Sequence, residues 1–238
     1  MTTATRPKNH AAASPESAAG PVLAVLEDSA AGALLIECSA ALARALGRGL
    51  TVVHVQSTLA LQAAALPQTQ VLAHAGAPWA PFAPLDVERG WRAQATRLQA
   101  MGAAIATRHA LAWSMRTVRG EIGAVARALF DETDLLFLGA TAWRARPARP
   151  AAASVCVLAV LNDGSAAALR GAQLAASMAA EMPANWRVRE VPVADAAALD
   201  RLLQRPPSPG VLVMPGALAT PQRWARLARL ACPILLIG

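Results

Sequence analysis

The apolar residues of this chain gather into short runs that are hydrophobic at nearly every position, and these runs alternate with longer stretches rich in Ala and Leu. Strands that are apolar on both faces and separated by helices are typical of a parallel sheet covered on both sides. The pattern therefore predicts an α/β fold. The predicted strands are Pro21–Leu26, Leu50–Val55, Ala103–Leu111, Asp134–Gly139, Val155–Leu161, Trp186–Val191, Val211–Met214 and Ile234–Ile237.

Helical stretches fill the intervals between these strands. One begins where Asp86 is suited to cap a helix N-terminus, and it runs to Met101 with Gly102 as its stop. Another ends at Gly47, because glycine tolerates the left-handed conformation that closes many helices. The predicted helices are Ala30–Leu46, Asp86–Met101, Gly120–Asp131, Ser165–Glu181 and Asp195–Leu203.

The segment Ser57–Pro84 interrupts the alternating pattern with several prolines around Trp79 and Phe82. An insertion of this length inside a compact domain is usually functional or disordered. Because exposed aromatic side chains are a liability, we expect Trp79 and Phe82 to pack on the protein's own surface. Docking of the two rings on a partner is the alternative.

The segment Trp113–Glu121 also departs from the pattern. It is predicted to be a solvated loop with Trp113 against the sheet. Arg116 and Arg119 precede a predicted helix, whose N-terminus carries partial positive charge. An anion site at these two arginines is therefore the alternative interpretation.

An internal repeat divides the chain into two halves. The letters Val-Leu-Ala-Val-Leu at 22–26 recur at 157–161, and at the same offset Asp28 falls on Asp163. Repetition at a fixed offset indicates a duplicated unit, and the second copy is shorter. The predicted organisation is a disordered tail at 1–20, a first half at 21–140, a Pro-, Arg- and Ala-rich linker at 141–154 and an abbreviated second half at 155–238.

The amino-acid composition indicates the cellular compartment of the protein. Hydrophobic residues make up 55% of the chain, but no apolar run approaches the ~20 residues that a transmembrane helix needs. Met1–Gly20 lacks the apolar region of a secretory signal. Cys38, Cys156 and Cys232 are widely spaced without a CxxC pair, so neither a disulfide framework nor a zinc site is predicted. These features predict a cytoplasmic protein with no membrane partner.

The net charge and the motifs limit the classes of partner and reaction that are expected for this chain. The net charge is +7 and comes mainly from Arg, but no basic groove with interleaved aromatic residues accompanies it, so a nucleic-acid partner is not favoured. The sequence has no histidine pair at metal-ligand spacing and no GxSxG nucleophile turn. No cysteine has a histidine or basic residue beside it. We therefore expect no enzyme, with no catalytic residue and no metal ligand.

Several segments resemble the universal stress protein family. PVLAVLEDSAAGALLIECSAALARALG is similar to the family's first strand, its Asp-containing turn and its first helix, and LTVVHV is similar to its second strand. The stretch from Arg119 through ALFDETDLLFLGA resembles the third helix and fourth strand, and CPILLIG resembles the last strand. In the second half, VLAVLNDGSAAALRGAQLAASMA repeats the first of these segments.

The resemblance implies a fold of two Rossmann-like open parallel sheets flanked by helices, with the second half abbreviated and the strand order 3-2-1-4-5 in the fuller half. Many family members bind ATP. By resemblance, Asp28 matches a residue that contacts the base or ribose, and Gly139 matches the glycine that opens the phosphate loop. Ala142 and Ala152 stand where the later glycines of that loop belong. The resemblance thus implies that the phosphate loop is lost.

The expected function is that of a non-catalytic stress-response or regulatory protein, without a cofactor, that acts through contacts with a protein partner. The alternative is a sensor that binds ATP or another adenine nucleotide in the first half, through Asp28 and Gly139. Family members often pair through the last strand, and in the order 3-2-1-4-5 the apolar strand Ile234–Ile237 lies at a sheet edge, which invites pairing. We therefore expect a homodimer through the C-terminal strand. Cover of that strand by the first half of the same chain is the alternative.

Overall fold

The structure is a computed structural model that describes residues 20–28, 32–72, 78–139, 155–204, 210–230 and 232–238. The predicted tail, apart from Gly20, and the predicted linker at 141–154 lie outside these ranges. The later glycine positions of the implied phosphate loop, at 142 and 152, lie outside them too.

The described residues form strands and helices in the alternation that the sequence predicts. Through residue 139 they are β1 (Val22–Leu26), α1 (Gly32–Ala45), β2 (Leu50–Gln56), α2 (Thr58–Ala64), β3 (Gln70–Val71), β4 (Ala80–Pro81), α3 (Pro84–His109), β5 (Trp113–Arg119), α4 (Ile122–Phe130) and β6 (Leu135–Leu138). After residue 154 they are β7 (Cys156–Asn162), α5 (Ala166–Glu181), β8 (Trp186–Pro192), α6 (Ala196–Gln204), β9 (Gly210–Pro215), a 3-10 turn (Gly216–Leu218), α7 (Pro221–Leu227) and β10 (Ile234–Ile237).

A single eight-stranded sheet carries the fold, in the order β5-β2-β1-β6-β10-β9-β7-β8. The expectation of two separate open sheets is therefore wrong. Strands β5-β2-β1-β6 reproduce the 3-2-1-4 part of the predicted order. The place of a fifth strand beside β6 is taken by β10, which belongs to the other half. The limits 21–140 and 155–238 stay predictions as domain boundaries.

The C-terminal strand β10 lies in the middle of the sheet. Its Ile234 is opposite Leu138 of β6 in an antiparallel ladder and opposite Leu212 of β9 in a parallel one. The predicted edge position is wrong, and a homodimer through this strand loses its basis because both of its edges are already paired. The alternative, cover of this strand by the first half, is what the structure has.

The two halves run in opposite directions. All neighbouring strands of the large sheet are parallel except β6 and β10, which are antiparallel. The carboxyl ends of the first-half strands therefore lie at one edge of the sheet, and those of the second-half strands lie at the opposite edge. Asp28 and Asp163, which the repeat relates, are consequently on opposite sides of the molecule.

Helices cover both faces of the sheet, so the molecule has three layers. On one face α1 packs against α3 and α5, and on the other α4 packs against α7. Along β6, Phe137 joins the hydrophobic core under the first set of helices and Leu138 joins the core under the second. Both side chains are fully buried. This burial on two sides explains why the central strands are apolar at every position.

The predicted boundary between helix and strand near residue 102 is wrong. Helix α3 continues through Gly102 to His109 and ends at Ala110 in a left-handed conformation. Its buried residues Leu98, Gly102, Ile105 and His109 recur at helical spacing. The helix begins at Pro84, and Asp86 lies in the first turn, where its carboxylate accepts a hydrogen bond from the Ala83 N–H at 3.3 Å.

The third strand of the first half is therefore β5, in the segment predicted to be a loop. Trp113 pairs with Leu50 and Arg119 pairs with Gln56, so the ladder is parallel along seven residues. Gly102 has a packing role instead of ending the helix, because a Cβ there would touch the ring of Trp113. The prediction that Trp113 packs against the sheet from a loop is therefore wrong, because Trp113 is part of the sheet and its ring faces α3.

The expectation for Ser57–Pro84 is correct for one aromatic ring and wrong for the other. Phe82 is partly buried in a small cluster with Ala64, Val87 and Trp91, where α2 meets α3. Trp79 is 65% exposed. Strands β3 and β4 form a hairpin that stands apart from the large sheet.

Candidate functional site

Asp28 and Gly139 lie at the same edge of the sheet, at the carboxyl ends of the neighbouring strands β1 and β6. The Gly139 N–H donates to the Val25 carbonyl at 2.8 Å, which extends the ladder between the two strands by one bond. A Cβ at Gly139 would lie 3.1 Å from the Cβ of Leu26 and 3.3 Å from the Val25 oxygen. Close packing of the two strand ends therefore favours glycine at this position, since a larger residue would need its neighbours to shift by a few tenths of an ångström.

Carboxylates dominate this edge. Glu27 is partly buried, and burial raises its pKa first of all. The hydrogen bond from Ser57 acts in the opposite direction, and the nearby negative charges of Glu121 and Asp28 raise the pKa further. Glu27, Asp28 and Glu121 thus bring three carboxylates near one another at this edge.

Glu121 has a structural role at the same edge of the sheet. Its Oε1 accepts hydrogen bonds from the Thr58 hydroxyl at 3.0 Å and from the Leu59 N–H at 3.2 Å. Glu121 therefore fixes the start of α2 from the N-terminal position of α4. Neither Glu27 nor Glu121 is among the site residues predicted from the sequence. Glu27 directly follows the predicted first strand, which was a usable signal, whereas Glu121 follows β5, whose segment was predicted to be a loop.

His54 is fully buried in β2, opposite Leu26 of β1. In the described residues neither ring nitrogen makes a hydrogen bond of good geometry. Burial lowers the pKa of His54, and the side chain of Gln94, the backbone of Glu27 and the charge of Asp28 oppose this shift. The ring is consequently held in a setting that favours the neutral imidazole.

The corresponding edge of the second half is occupied by local hydrogen bonds. Asn162 Oδ1 accepts from the Gly164 N–H at 2.9 Å, and Asp163 Oδ1 accepts from the Ser165 N–H at 3.0 Å. Ser165 Oγ then caps α5 by accepting from the Ala168 N–H at 3.1 Å. The hydrogen bonds from Ser165 hold the pKa of Asp163 below its usual value. The role of Asp163 in the structure is to shape the turn that starts α5.

Arg116 and Arg119, the two arginines of the predicted anion site, lie on β5, which is the outermost strand of the first half. The Arg119 guanidinium lies 3.9 Å from Glu88, 3.4 Å from the side-chain oxygen of Gln56 and 5.6 Å from the ring centroid of Trp91. Arg119 thus already has partners. Arg116 is exposed on the same strand.

The cysteines are free thiols. Burial raises the pKa of the Cys232 thiol to about 11, and burial also raises the pKa of Cys38. Neither thiol is therefore activated as a nucleophile at neutral pH. Among the residues that the structure describes, no three His, Cys, Asp or Glu side chains are arranged to hold a metal ion.

No described helix is both long enough and apolar enough to cross a bilayer. Neither protein-family models nor curated protein sequences give a match to this chain.

Proposed function

We propose that this chain is a non-catalytic, cytoplasmic regulatory protein of the stress-response type, built from two halves that resemble universal stress proteins, and that it acts through contacts with other proteins. The internal repeat and the strand order β5-β2-β1-β6 support this proposal. The three unpaired cysteines suit a reducing compartment.

The observation that carries the proposal is the acidic edge of the first half. Asp28 lies beside Glu27, whose pKa is raised by burial and by the charges of Glu121 and Asp28. The phosphates of a nucleotide would add negative charge to these carboxylates. Phosphate sites instead use backbone N–H groups, helix N-termini and basic side chains.

The reversed direction of the second half supports the same conclusion. In a complete parallel half, the helix that follows the fourth strand presents its N-terminus to the ligand edge. Here α7 follows β9, so its N-terminus is at the opposite edge from Asp28 and Gly139.

The competing function is a sensor of adenine nucleotides. It is favoured by the arrangement of Asp28 and Gly139 at the carboxyl ends of adjacent strands, which is where open α/β sheets bind ligands. In this function Asp28 would contact the base or ribose, and Gly139 would allow close approach of the backbone.

A binding screen separates the two functions. Purified protein is tested by thermal shift and equilibrium titration against ATP, ADP, AMP and cyclic dinucleotides, together with Asp28→Ala and Asp163→Ala. We expect no saturable binding tighter than ~1 mM, or about −4 kcal/mol, and no hydrolysis of ATP. Micromolar binding that is lost in Asp28→Ala and kept in Asp163→Ala would establish the sensor and overturn the proposal.

A further inference from the structure

The large sheet has two outer edges, formed by β5 of the first half and β8 of the second. An outermost strand pairs on one side only, so every other residue turns its backbone N–H and C=O away from the sheet. At the two ends of β5, the Leu50 N–H donates to the Ala112 carbonyl and the Gly120 N–H donates to the Gln56 carbonyl, each at 3.0 Å. Even-numbered residues of this segment therefore face β2. The residues that face outward are Trp113, Met115, Thr117 and Arg119.

The edge of β8 is blunted by its own residues. The Cys156 N–H donates to the Asn185 carbonyl at 3.0 Å, so odd-numbered residues of this segment face β7 and even-numbered ones face outward. The outward carbonyl of Trp186 accepts a hydrogen bond from Arg187 Nη1 at 3.0 Å. At the other end of the strand, Pro192 has no N–H to donate. Proteins use such devices to keep exposed edges from pairing with other chains.

The edge of β5 lacks these devices. The strand contains no proline, and among the described residues none of its outward N–H and carbonyl groups has a hydrogen-bond partner. Each outward residue thus offers one donor and one acceptor in a regular row. An extended peptide adds to a sheet as a further strand at this kind of edge.

The side chains of β5 indicate which residues an added strand should carry. Met115 is half-buried against the core on the α3 side, and Val118 is half-buried against the core on the α4 side. Arg116 is exposed and has no ion-pair partner in the part of the chain that the structure describes. Arg119 lies 3.9 Å from Glu88, but its side chain remains 60% exposed. Suitable cross-strand partners are therefore apolar at the first two positions and acidic at the two arginines.

Charge distinguishes an acidic partner from a second copy of this chain. If two copies paired their β5 strands in antiparallel over the full length of the strand, each Arg116 would lie opposite its own counterpart, and like charges directly opposite each other are destabilising. Other segments of the chain have the wrong charge. Residues 140–154 contain three arginines and no acid, and residues 1–19 contain a single acid, Glu16.

We propose that the outer edge of β5 binds an extended acidic segment of a partner protein. The segment adds as a ninth strand, with apolar residues opposite Met115 and Val118 and carboxylates opposite Arg116 and Arg119. The ladder of backbone hydrogen bonds supplies affinity, and the side chains supply specificity. This inference rests on the proposed function, because it assigns a surface and a class of partner to a protein that acts through protein contacts.

The test uses the full chain and synthetic peptides. In antiparallel orientation, the peptide TEVTEVT places glutamates opposite Arg116 and Arg119 and valines opposite Met115 and Val118. We expect saturable binding with a Kd below about 1 mM in a calorimetric titration, together with slower hydrogen exchange of the outward amides of β5.

Two control peptides separate charge from strand addition. TKVTKVT reverses the charges, and TEVPEVT lacks the N–H that would donate to the Thr117 carbonyl. Each is expected to bind at least about tenfold more weakly than TEVTEVT.

Two substitutions on β5 have matched controls on β8. Arg116→Glu should weaken binding of TEVTEVT by about fivefold or more and strengthen binding of TKVTKVT, a reversal that loss of folding does not produce. Thr117→Pro removes an outward N–H and should abolish binding of TEVTEVT. Arg189→Glu and Val188→Pro are the corresponding changes on β8 and should leave binding unchanged. Circular dichroism of each variant verifies that the fold is kept.

The proposal is overturned if TEVTEVT shows no saturable binding up to about 1 mM, if the three peptides bind equally, or if Arg116→Glu binds TEVTEVT undiminished. A native dimer in sedimentation velocity that Thr117→Pro dissociates would assign the edge to a second copy and overturn it as well. Each of these results leaves the proposed function standing. That function is overturned separately, by micromolar nucleotide binding that depends on Asp28.

Discussion

Arg48 and Asp134 form a two-point ion pair, with Nη1 and Oδ2 3.0 Å apart and Nη2 and Oδ1 2.6 Å apart. Arg170 of α5 reaches the same carboxylate at 2.5 Å and donates to the Gly238 carbonyl at 3.0 Å. Asp134 precedes β6 in the first half, whereas Arg170 and Gly238 belong to the second. One carboxylate thus links the two halves beside the antiparallel junction.

Replacing Asp134 with Asn is expected to lower the free energy of unfolding by about 2 kcal/mol at pH 7, because Arg48 is buried and would lose its counter-charge. The hydrogen bond from Arg48, helped by Arg170, lowers the pKa of Asp134 to about 2. A carboxyl with a depressed folded pKa stabilises the protein above its unfolded pKa, and that stabilisation is lost as pH falls from about 4 towards 2.

After allowance for solvent screening, this pH-dependent part is about 1–2 kcal/mol. Urea denaturation at several pH values should show a weaker pH dependence for Asp134→Asn than for the native protein. Glu88→Gln is the control, since the side chains of its arginine partners Arg92 and Arg119 are both exposed. An unchanged stability of Asp134→Asn would contradict the linking role of this residue.

His54 is expected to make the protein less stable in mild acid. Burial lowers its pKa in the folded state, so the unfolded chain binds a proton more readily and stability falls as pH drops below about 6.5. In His54→Gln this loss between pH 7 and pH 5 should be smaller, as measured by chemical denaturation. An equal loss in both proteins would show that His54 is not the group responsible.

The central strands should not tolerate charge. Val25 of β1 is fully buried and Val160 of β7 is 1% exposed. Val25→Asp and Val160→Asp would each place an unpaired carboxylate in the core, and each is expected to cost several kcal/mol. Val188→Asp is the matched control, because Val188 is 37% exposed on the edge strand β8. Normal melting of both core variants would be incompatible with a shared sheet core.

Two glycines of α3 should respond in opposite directions to replacement by alanine. A Cβ at Gly102 would touch the Trp113 ring, whereas a Cβ at Gly90 meets no atom within 4 Å. Gly90→Ala should therefore stabilise the protein by up to about 1 kcal/mol through helix propensity. Gly102→Ala should destabilise it by about 1–2 kcal/mol through overpacking. Thermal melting measures both, and equal shifts would rule out the packing role of Gly102.

The fold class, most of the strands and the central position of β1 and β7 could be predicted from the sequence. Runs such as Val22–Leu26 are apolar at every position because both faces are covered, and that property is visible in the residue types alone. Asp28 and Gly139 could be placed at one edge for a similar reason, since each directly follows a first-half strand. Glu27 and Glu121 could not be recognised as their neighbours, because proximity across strand ends depends on which strands are adjacent.

The tertiary structure alone decided where α3 ends and where β10 lies. Leu98, Ile105 and His109 fit one face of a helix, but the apolar content of Ala103–Leu111 also fits a strand. Packing of α3 against Trp113 decides between these two secondary structures. The local sequence of Ile234–Ile237 fits an edge strand and a central strand equally well. Its position between β6 and β9 depends on the reversed direction of the second half, which brings β10 beside β6 in an antiparallel pair. Strand pairing is a long-range choice between whole halves, and hydrophobic pattern, which is local, does not encode it.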